Sequence, residues 1–258
     1  MTQAATQRLA LRERLLRERE RGRVWVVGHR GAMGYCPENT LVSFERGLEL
    51  GADWIELDVH LSKDGALIVI HDETLERTTN GHGFVRDYTL AQLRELDAGQ
   101  GQRIPILRDV LDWANSKGVV VDIEIKNAPI YYDGISDAVV DVIKATGMTD
   151  NVIVISFDHA SVKRIKQLDS HIATGVLYAC RPTDAGVGLA RAAQADAVLP
   201  HWAYVTNEDV TAAHAAGLAV APWATSDPTI LRNLIACGVD AIGTNHPDVL
   251  RDVLGGQQ

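Results

Sequence analysis

From residue 24 onward the chain alternates short apolar runs with amphipathic segments, and that alternation limits its possible folds more than any other feature. Strand-length runs separated by helical segments are the pattern of a parallel sheet wrapped by helices. The runs fall at 24–28, 54–59, 66–70, 119–125, 152–156, 174–178, 197–200, 219–223 and 241–244, nine in all. Helical segments fill the gaps at 38–50, 107–116, 135–146, 160–168, 184–195, 207–216, 228–237 and 247–254. Only Ser62-Lys63-Asp64-Gly65 separates the second run from the third, too few residues for a parallel crossover, so 66–70 should return antiparallel as a hairpin. Eight parallel strands remain, the number that closes an α/β (β/α)8 barrel of the TIM type, typically about 250 residues long. The stretch of about 61–104 is too long for an ordinary loop and reads as an insertion after the second strand, lying over the barrel mouth.

With 258 residues the chain can build one large domain with a well-buried core. It divides into a charged helical extension at 1–22 and the barrel at 23–258. Arg and Glu crowd around Leu9, Leu11, Leu15 and Leu16, so 7–23 reads as a lead-in helix packed on the underside of the domain. A membrane-surface role for its arginines is the second reading. The net charge of −9 excludes a large basic surface, and with it nucleic acid as a partner. Cys36, Cys180 and Cys237 form neither a disulfide framework nor a zinc pattern. Without a membrane-spanning apolar run or a signal-peptide core, the expected location is the cytoplasm.

Active sites of such barrels are built where the strands end. The first run ends in Gly28-His29-Arg30-Gly31, and the second carries Glu56 and Asp58, two apart and therefore on one face. His60 is expected on the opposite, apolar face and is the weaker candidate. The run at 119–125 adds Asp122 and Glu124, with Lys126 next in the alternation. If Leu61 pairs with Ala66, the hairpin sets His71 opposite Glu56. So many charges at adjoining strand ends must be paired or bind metal. Hard carboxylate oxygens suit one divalent cation, Mg²⁺ or Ca²⁺, while nearby histidines keep Mn²⁺ and Zn²⁺ open. Arg30 and Lys126 would then hold an anionic substrate, with His29 and His71 as general base and general acid. Trp223, an aromatic at a strand end, suits the apolar part of a ligand.

The segments Gly28-His29-Arg30-Gly31, Pro37-Glu38-Asn39-Thr40, Glu56-Leu57-Asp58-Val59, His71-Asp72-Glu73, Arg77-Thr78-Thr79-Asn80-Gly81 and Glu124-Ile125-Lys126 together resemble the glycerophosphodiester phosphodiesterase family. The likeness is close from Val27 to about Lys126 and looser beyond Asn151, where Ile155-Ser156-Phe157, Trp223 and Gly238-Val239-Asp240 carry it. It implies a barrel with an insertion, a divalent cation, and hydrolysis of a small glycerophosphodiester to glycerol 3-phosphate and an alcohol. By match, Glu56, Asp58 and Glu124 resemble the metal ligands, His29 and His71 the catalytic pair, and Arg30 and Lys126 the phosphate contacts. Glu38 and Asn39 lie at the rim of the same site. Two positions depart from the family pattern: Asn245 stands where Asp is usual, and Ala224-Thr225-Ser226 follows Trp223. Both are expected on the far side of the mouth from the metal. Alternative readings are a phospholipase D-like enzyme acting on lysophospholipids and an inactive phosphodiester-binding barrel. An amidohydrolase-type barrel fits less well, since it calls for His-x-His on the first strand.

Overall fold

The computed structural model of the chain describes residues 11–256. Positions 7–10 of the expected lead-in helix lie outside them. The strands are β1 (Trp25–Gly28), β2 (Trp54–Leu61), β3 (Leu67–Val69), β4 (Val120–Ile125), β5 (Val152–Ser156), β6 (Ala173–Tyr178), β7 (Ala197–Pro200), β8 (Ala219–Val220) and β9 (Ala241–Thr244). All but β3 run parallel, in the order β8-β7-β6-β5-β4-β2-β1-β9. Hydrogen bonds from Asp240 N to Val220 O (2.9 Å), Gly243 N to Pro222 O (3.0 Å) and Thr225 N to Gly243 O (3.1 Å) join the two ends. The result is the expected barrel of eight parallel strands. β8 is shorter than the apolar run at 219–223, because Pro222 brings no N–H to a ladder.

The outer layer consists of α2 (Leu41–Glu49), α4 (Leu107–Lys117), α5 (Ile135–Ala145), α6 (His159–Leu168), α7 (Val187–Ala193), α8 (Asn207–Ala215), α9 (Pro228–Ala236) and α10 (Pro247–Gly255). These helices start where the sequence supplies caps: Thr40 accepts from Ser43 N, Asp158 from Ala160 N, and Asp227 from Thr229 N and Ile230 N, just before Pro228. Because α2 begins only after Thr40, Glu38 precedes the helix instead of lying in its first turn.

The alternation along each strand sorts its side chains. Ile55, Leu57 and Val59 of β2 pack outward with Phe44, Leu107, Leu111 and Ile135 of the surrounding helices. Inward positions change character with height. At the N-terminal end the lumen is apolar, with Trp25 and Trp54 5.3 Å apart beside Val120, Ile153, Ala173 and Ala197. Two residues further along, β2 and β4 turn acidic with Glu56 and Asp122, then with Asp58 and Glu124.

Helix α1 (Leu11–Glu20) closes the floor. Its Leu11 and Leu15 are buried against the tryptophan layer. Arg19 reaches Asp240 Oδ1 (2.6 Å) and the carbonyl of Leu218 (2.9 Å), while Asp240 also accepts from Val220 N (2.7 Å). The charged helix thus packs on the underside of the barrel. Among the described residues no helix is long and apolar enough to cross a membrane.

Between β2 and α4 the chain forms β3, a 3-10 turn (Val85–Asp87) and α3 (Leu90–Leu93) around its own cluster of Ile68, Ile70, Leu75, Val85, Leu93 and Ile104. The hairpin is antiparallel, but its register differs from the expected one. Leu61 pairs with Leu67, not Ala66, because Ser62 and Ala66 close the turn and leave only Lys63, Asp64 and Gly65 at its tip. Gly65 has φ +81°, the left-handed position of a three-residue hairpin turn. His71 consequently is not opposite Glu56; it lies two residues past the end of β3.

Burial of α1 makes a stability prediction. Leu15→Ala should cost about 2–5 kcal/mol by urea denaturation, as removal of a packed core leucine does. A loss near zero would show that the floor is not part of the cooperative core.

Candidate active site

Parallel pairing of β2 with β4 sets Glu56 beside Asp122 and Asp58 beside Glu124, two acidic layers stacked in the upper lumen. Ligand oxygens of Glu56, Asp58 and Glu124 all lie within 4.8 Å of one another, and all three residues are buried. This triad could hold a metal ion.

Two cations flank the triad. Arg30 donates its backbone N–H to Glu56 Oε2 (2.7 Å) and places Nε 3.3 Å from Asp58 Oδ2. Its φ of +51°, unusual for a non-glycine residue, turns that N–H toward the acid. Lys126 donates to Glu124 Oε1 (2.7 Å) and sits 3.6 Å from Asp58 Oδ1. Asn39, also left-handed at φ +57°, donates to Asp58 Oδ2 (2.8 Å). Asp58 Oδ1, though buried, has no hydrogen-bond partner among the described residues.

Two cations do not neutralise four acids, and the acids settle unequally. Burial works against ionisation of Asp58, but the Lys126 and Arg30 charges outweigh it and hold that carboxyl well below its ordinary range. Burial pushes Glu124 up to about 7, against the pull of Lys126. Burial and the neighbouring Asp58 charge push Glu56 well up, and burial with Glu124 does the same for Asp122.

The two candidate histidines are held at their Nδ1 atoms. His29 Nδ1 is 2.7 Å from Asn245 Oδ1, and His71 Nδ1 is 2.6 Å from Asp72 Oδ1. Because those oxygens accept, each Nδ1 carries the proton and each Nε2 is an acceptor; His71 Nε2 takes a bond from Lys126 Nζ at 3.1 Å. Burial, aided by the Arg30 charge, pushes His29 down to about 4. His71 is lowered too, mainly by burial. Both are therefore neutral at pH 7.

His60 shares the strand face of Glu56 and Asp58, since 56, 58 and 60 alternate together, not the opposite face expected of it, and it serves the site. Its Nε2 is 2.9 Å from the carbonyl of His71, and its Nδ1 is 2.9 Å from Tyr132 OH. Glu38 accepts from Arg30 Nη1 (2.8 Å) and twice from Arg77 (2.7 and 2.8 Å). Strand alternation places His60 beside the acids, whereas the positions of Asp72, Arg77 and Asn245 beside candidate site residues are not evident from it. Asp72 is adjacent to His71 in sequence, and Arg77 lies in one of the segments that carry the family likeness. The Asn245 pairing depends on the folded barrel.

Trp223 lines a cleft together with His29, Glu56, Asp122 and Glu124. Its indole donates to Leu199 O (3.0 Å), and its ring meets the half-exposed Phe157 edge-on at 5.4 Å. Asn245 is not on the far side of the mouth. β9 pairs with β1, Thr244 beside Gly28, so the end of the last strand abuts the His29 turn.

The family model for the glycerophosphoryl diester phosphodiesterase family matches residues 29–249. A glycerophosphodiester phosphodiesterase of Caldanaerobacter subterraneus subsp. tengcongensis is 39% identical over 232 residues, 87% of this chain and 95% of the relative. One of Bacillus subtilis is 33% identical over 91% of this chain and 87% of its own length. Among solved structures, a phosphodiesterase of Oleispira antarctica in complex with the product sn-glycerol-3-phosphate superposes with a TM-score of 0.83 at 28% identity, covering 92% of this chain and 99% of its own. A glycerophosphodiester phosphodiesterase of Agrobacterium tumefaciens gives 0.78 at 29% identity, over 89% and 100% of the two chains. The chain belongs to the glycerophosphoryl diester phosphodiesterase family.

Proposed function

We propose that the chain hydrolyses glycerophosphodiesters to glycerol 3-phosphate and an alcohol, with one divalent cation on Glu56, Asp58 and Glu124. The observation that carries this reading is the buried Asp58 Oδ1, which lacks a hydrogen-bond partner among the described residues and sits in a three-carboxylate cluster between Arg30 and Lys126. Lys126 Nζ, 3.6 Å away, pairs with its charge but makes no hydrogen bond to it, so the oxygen keeps its lone pairs for a ligand, and the triad offers hard oxygens suited to Mg²⁺ or Ca²⁺, with Mn²⁺ next. The product bound by the Oleispira antarctica relative supports the substrate class.

The bound cation supplies Lewis-acid charge beside the phosphate. Arg30 and Lys126, whose ammonium also touches His71 Nε2 at 3.1 Å, hold the phosphate oxygens. One imidazole takes the proton of the attacking oxygen at Nε2, and the other delivers a proton to the departing alcohol. A bound anion raises the proton affinity of both rings, which supplies the charged partner that the free site lacks. The attacker is water or the neighbouring glycerol hydroxyl; trapping a cyclic phosphate identifies the second.

The direct test is release of choline and glycerol 3-phosphate from glycerophosphocholine by chelated protein resupplied with Mg²⁺, Ca²⁺ or Mn²⁺. Release should require a cation and vanish in Glu56→Ala. His29→Ala and His71→Ala should each lose about 10²-fold or more in kcat. Retention of more than about a tenth of the activity in both would remove the acid-base assignment.

A second prediction concerns pH. In the chelated protein Glu124 keeps its proton until about pH 7, whereas an unfolded chain ionises it near the ordinary glutamate value. Its stabilising contribution is full below that ordinary value and is lost as the pH rises through about 7; Glu56 and Asp122 act in the same direction. The lowered histidines oppose this slope only below about pH 6.5, and Asp58 stays ionised throughout. Tm of the chelated protein should therefore fall from about pH 6.5 through about pH 7.5, as Glu124 loses its proton, and added cation should raise Tm more at the upper value. An equal rise at both pH values, or none, would contradict a carboxylate site.

A further inference from the structure

Arg77 is a residue of the segment between β2 and α4, and its guanidinium is shared between two carboxylates. Nη1 and Nη2 bond Glu38 at 2.7 and 2.8 Å, while Nε and Nη2 bond Asp72 at 2.6 and 3.0 Å. Each carboxylate passes the contact on. Glu38 Oε1 also accepts from Arg30 Nη1 (2.8 Å), and Asp72 Oδ1 also accepts from His71 Nδ1 (2.6 Å). The sequence Arg30–Glu38–Arg77–Asp72–His71 is thus one continuous hydrogen-bonded chain, with Arg77 at its centre and a functional side chain at each end.

We propose that Arg77 is a positioning residue that sets Arg30 for phosphate binding and His71 for proton transfer at once. This rests on the functional reading above. His60 already fixes the main chain of His71 through the carbonyl, so the orientation of its ring is what Asp72 has left to decide. Without Arg77, Glu38 and Asp72 would be like charges with no cation between them. Asp72 would keep His71 but lose both bonds that hold its own carboxylate in place. Only a planar donor with two bonding edges can serve both carboxylates; a lysine ammonium is a point charge and cannot. The Arg77 side chain is 45% exposed, so its ion pairs are screened by water and add little to stability. Its removal should therefore appear in the chemistry and not in Tm.

The test uses Arg77→Ala and Arg77→Lys, with Arg94→Ala as control, since Arg94 is a similarly exposed arginine paired with Asp109 away from the site. Turnover of glycerophosphocholine is measured beside calorimetric binding of glycerol 3-phosphate. Arg77→Ala should lose about 10²-fold in kcat, the scale of a misplaced catalytic group, and bind glycerol 3-phosphate several-fold more weakly at nearly unchanged Tm. Added guanidinium should restore much of the loss in Arg77→Ala but none in His71→Ala, and Arg77→Lys should remain impaired. The two arms should separate: Asp72→Asn lowers kcat with binding unchanged, and Glu38→Gln weakens binding. These two variants carry the test if Arg77→Ala does not fold. A kcat loss below about tenfold, no guanidinium rescue, a fully active lysine variant, or no separation between the arms overturns the proposal. A wild type that neither turns over the diester nor binds glycerol 3-phosphate overturns the functional reading, and this inference with it. That result is distinct from an active wild type matched by its variants.

Discussion

The upper lumen of the barrel is organised by a charge imbalance. Pairing of β2 with β4 stacks four carboxyl groups in two layers, and Arg30 and Lys126 are the cations in direct contact with them. Burial raises the cost of each uncompensated negative charge, so Glu56, Asp122 and Glu124 retain protons while Asp58 stays ionised. A doubly charged cation held there would change that balance, because it would let the triad ionise together. The neighbouring groups follow from the same need. The left-handed turns at Arg30 and Asn39 bring donors onto Glu56 and Asp58, and Lys126 takes Glu124 just past the end of β4.

The lower half of the barrel makes that concentration of charge tolerable. Trp25, Trp54 and the buried leucines of α1 fill the floor, so the acids are confined to the end where substrate can reach them. A polar site on rigid strands holds its geometry better than one on loops, and here the triad comes from two adjacent strands. The histidines belong to less regular structure and are held by second partners: Asn245 for His29, Asp72 and His60 for His71. These partners fix the tautomers, so each Nε2 is an acceptor before substrate arrives.

Much of this architecture could be read from the sequence because it depends on local periodicity. The eight parallel runs and the antiparallel return after Gly65 followed from alternation and loop length, and the shared face of Glu56 and Asp58 followed from their spacing. Features set by a single residue of register were not readable. The three-residue turn at Lys63–Gly65 moves the hairpin by one position and carries His71 away from Glu56, a choice that Ser62–Ala66 pairing makes and composition does not reveal. Contacts made by barrel closure were hidden for a different reason. Asn245 and His29 are 216 residues apart and meet only because the last strand lies beside the first. His60 was legible too, and setting it on the opposite face was wrong: positions 56, 58 and 60 alternate together, so the spacing that joins Glu56 to Asp58 also joins His60 to both.

The central claim is that the carboxylate triad is completed by one divalent cation, and Mn²⁺ binding followed by electron paramagnetic resonance tests it most directly. Titration should show one Mn²⁺ per chain, displaced by Mg²⁺ or Ca²⁺ and lost in Asp58→Asn. No bound Mn²⁺, or the same binding in wild type and variant, would show that Arg30 and Lys126 alone balance the acids and that the site works without a metal.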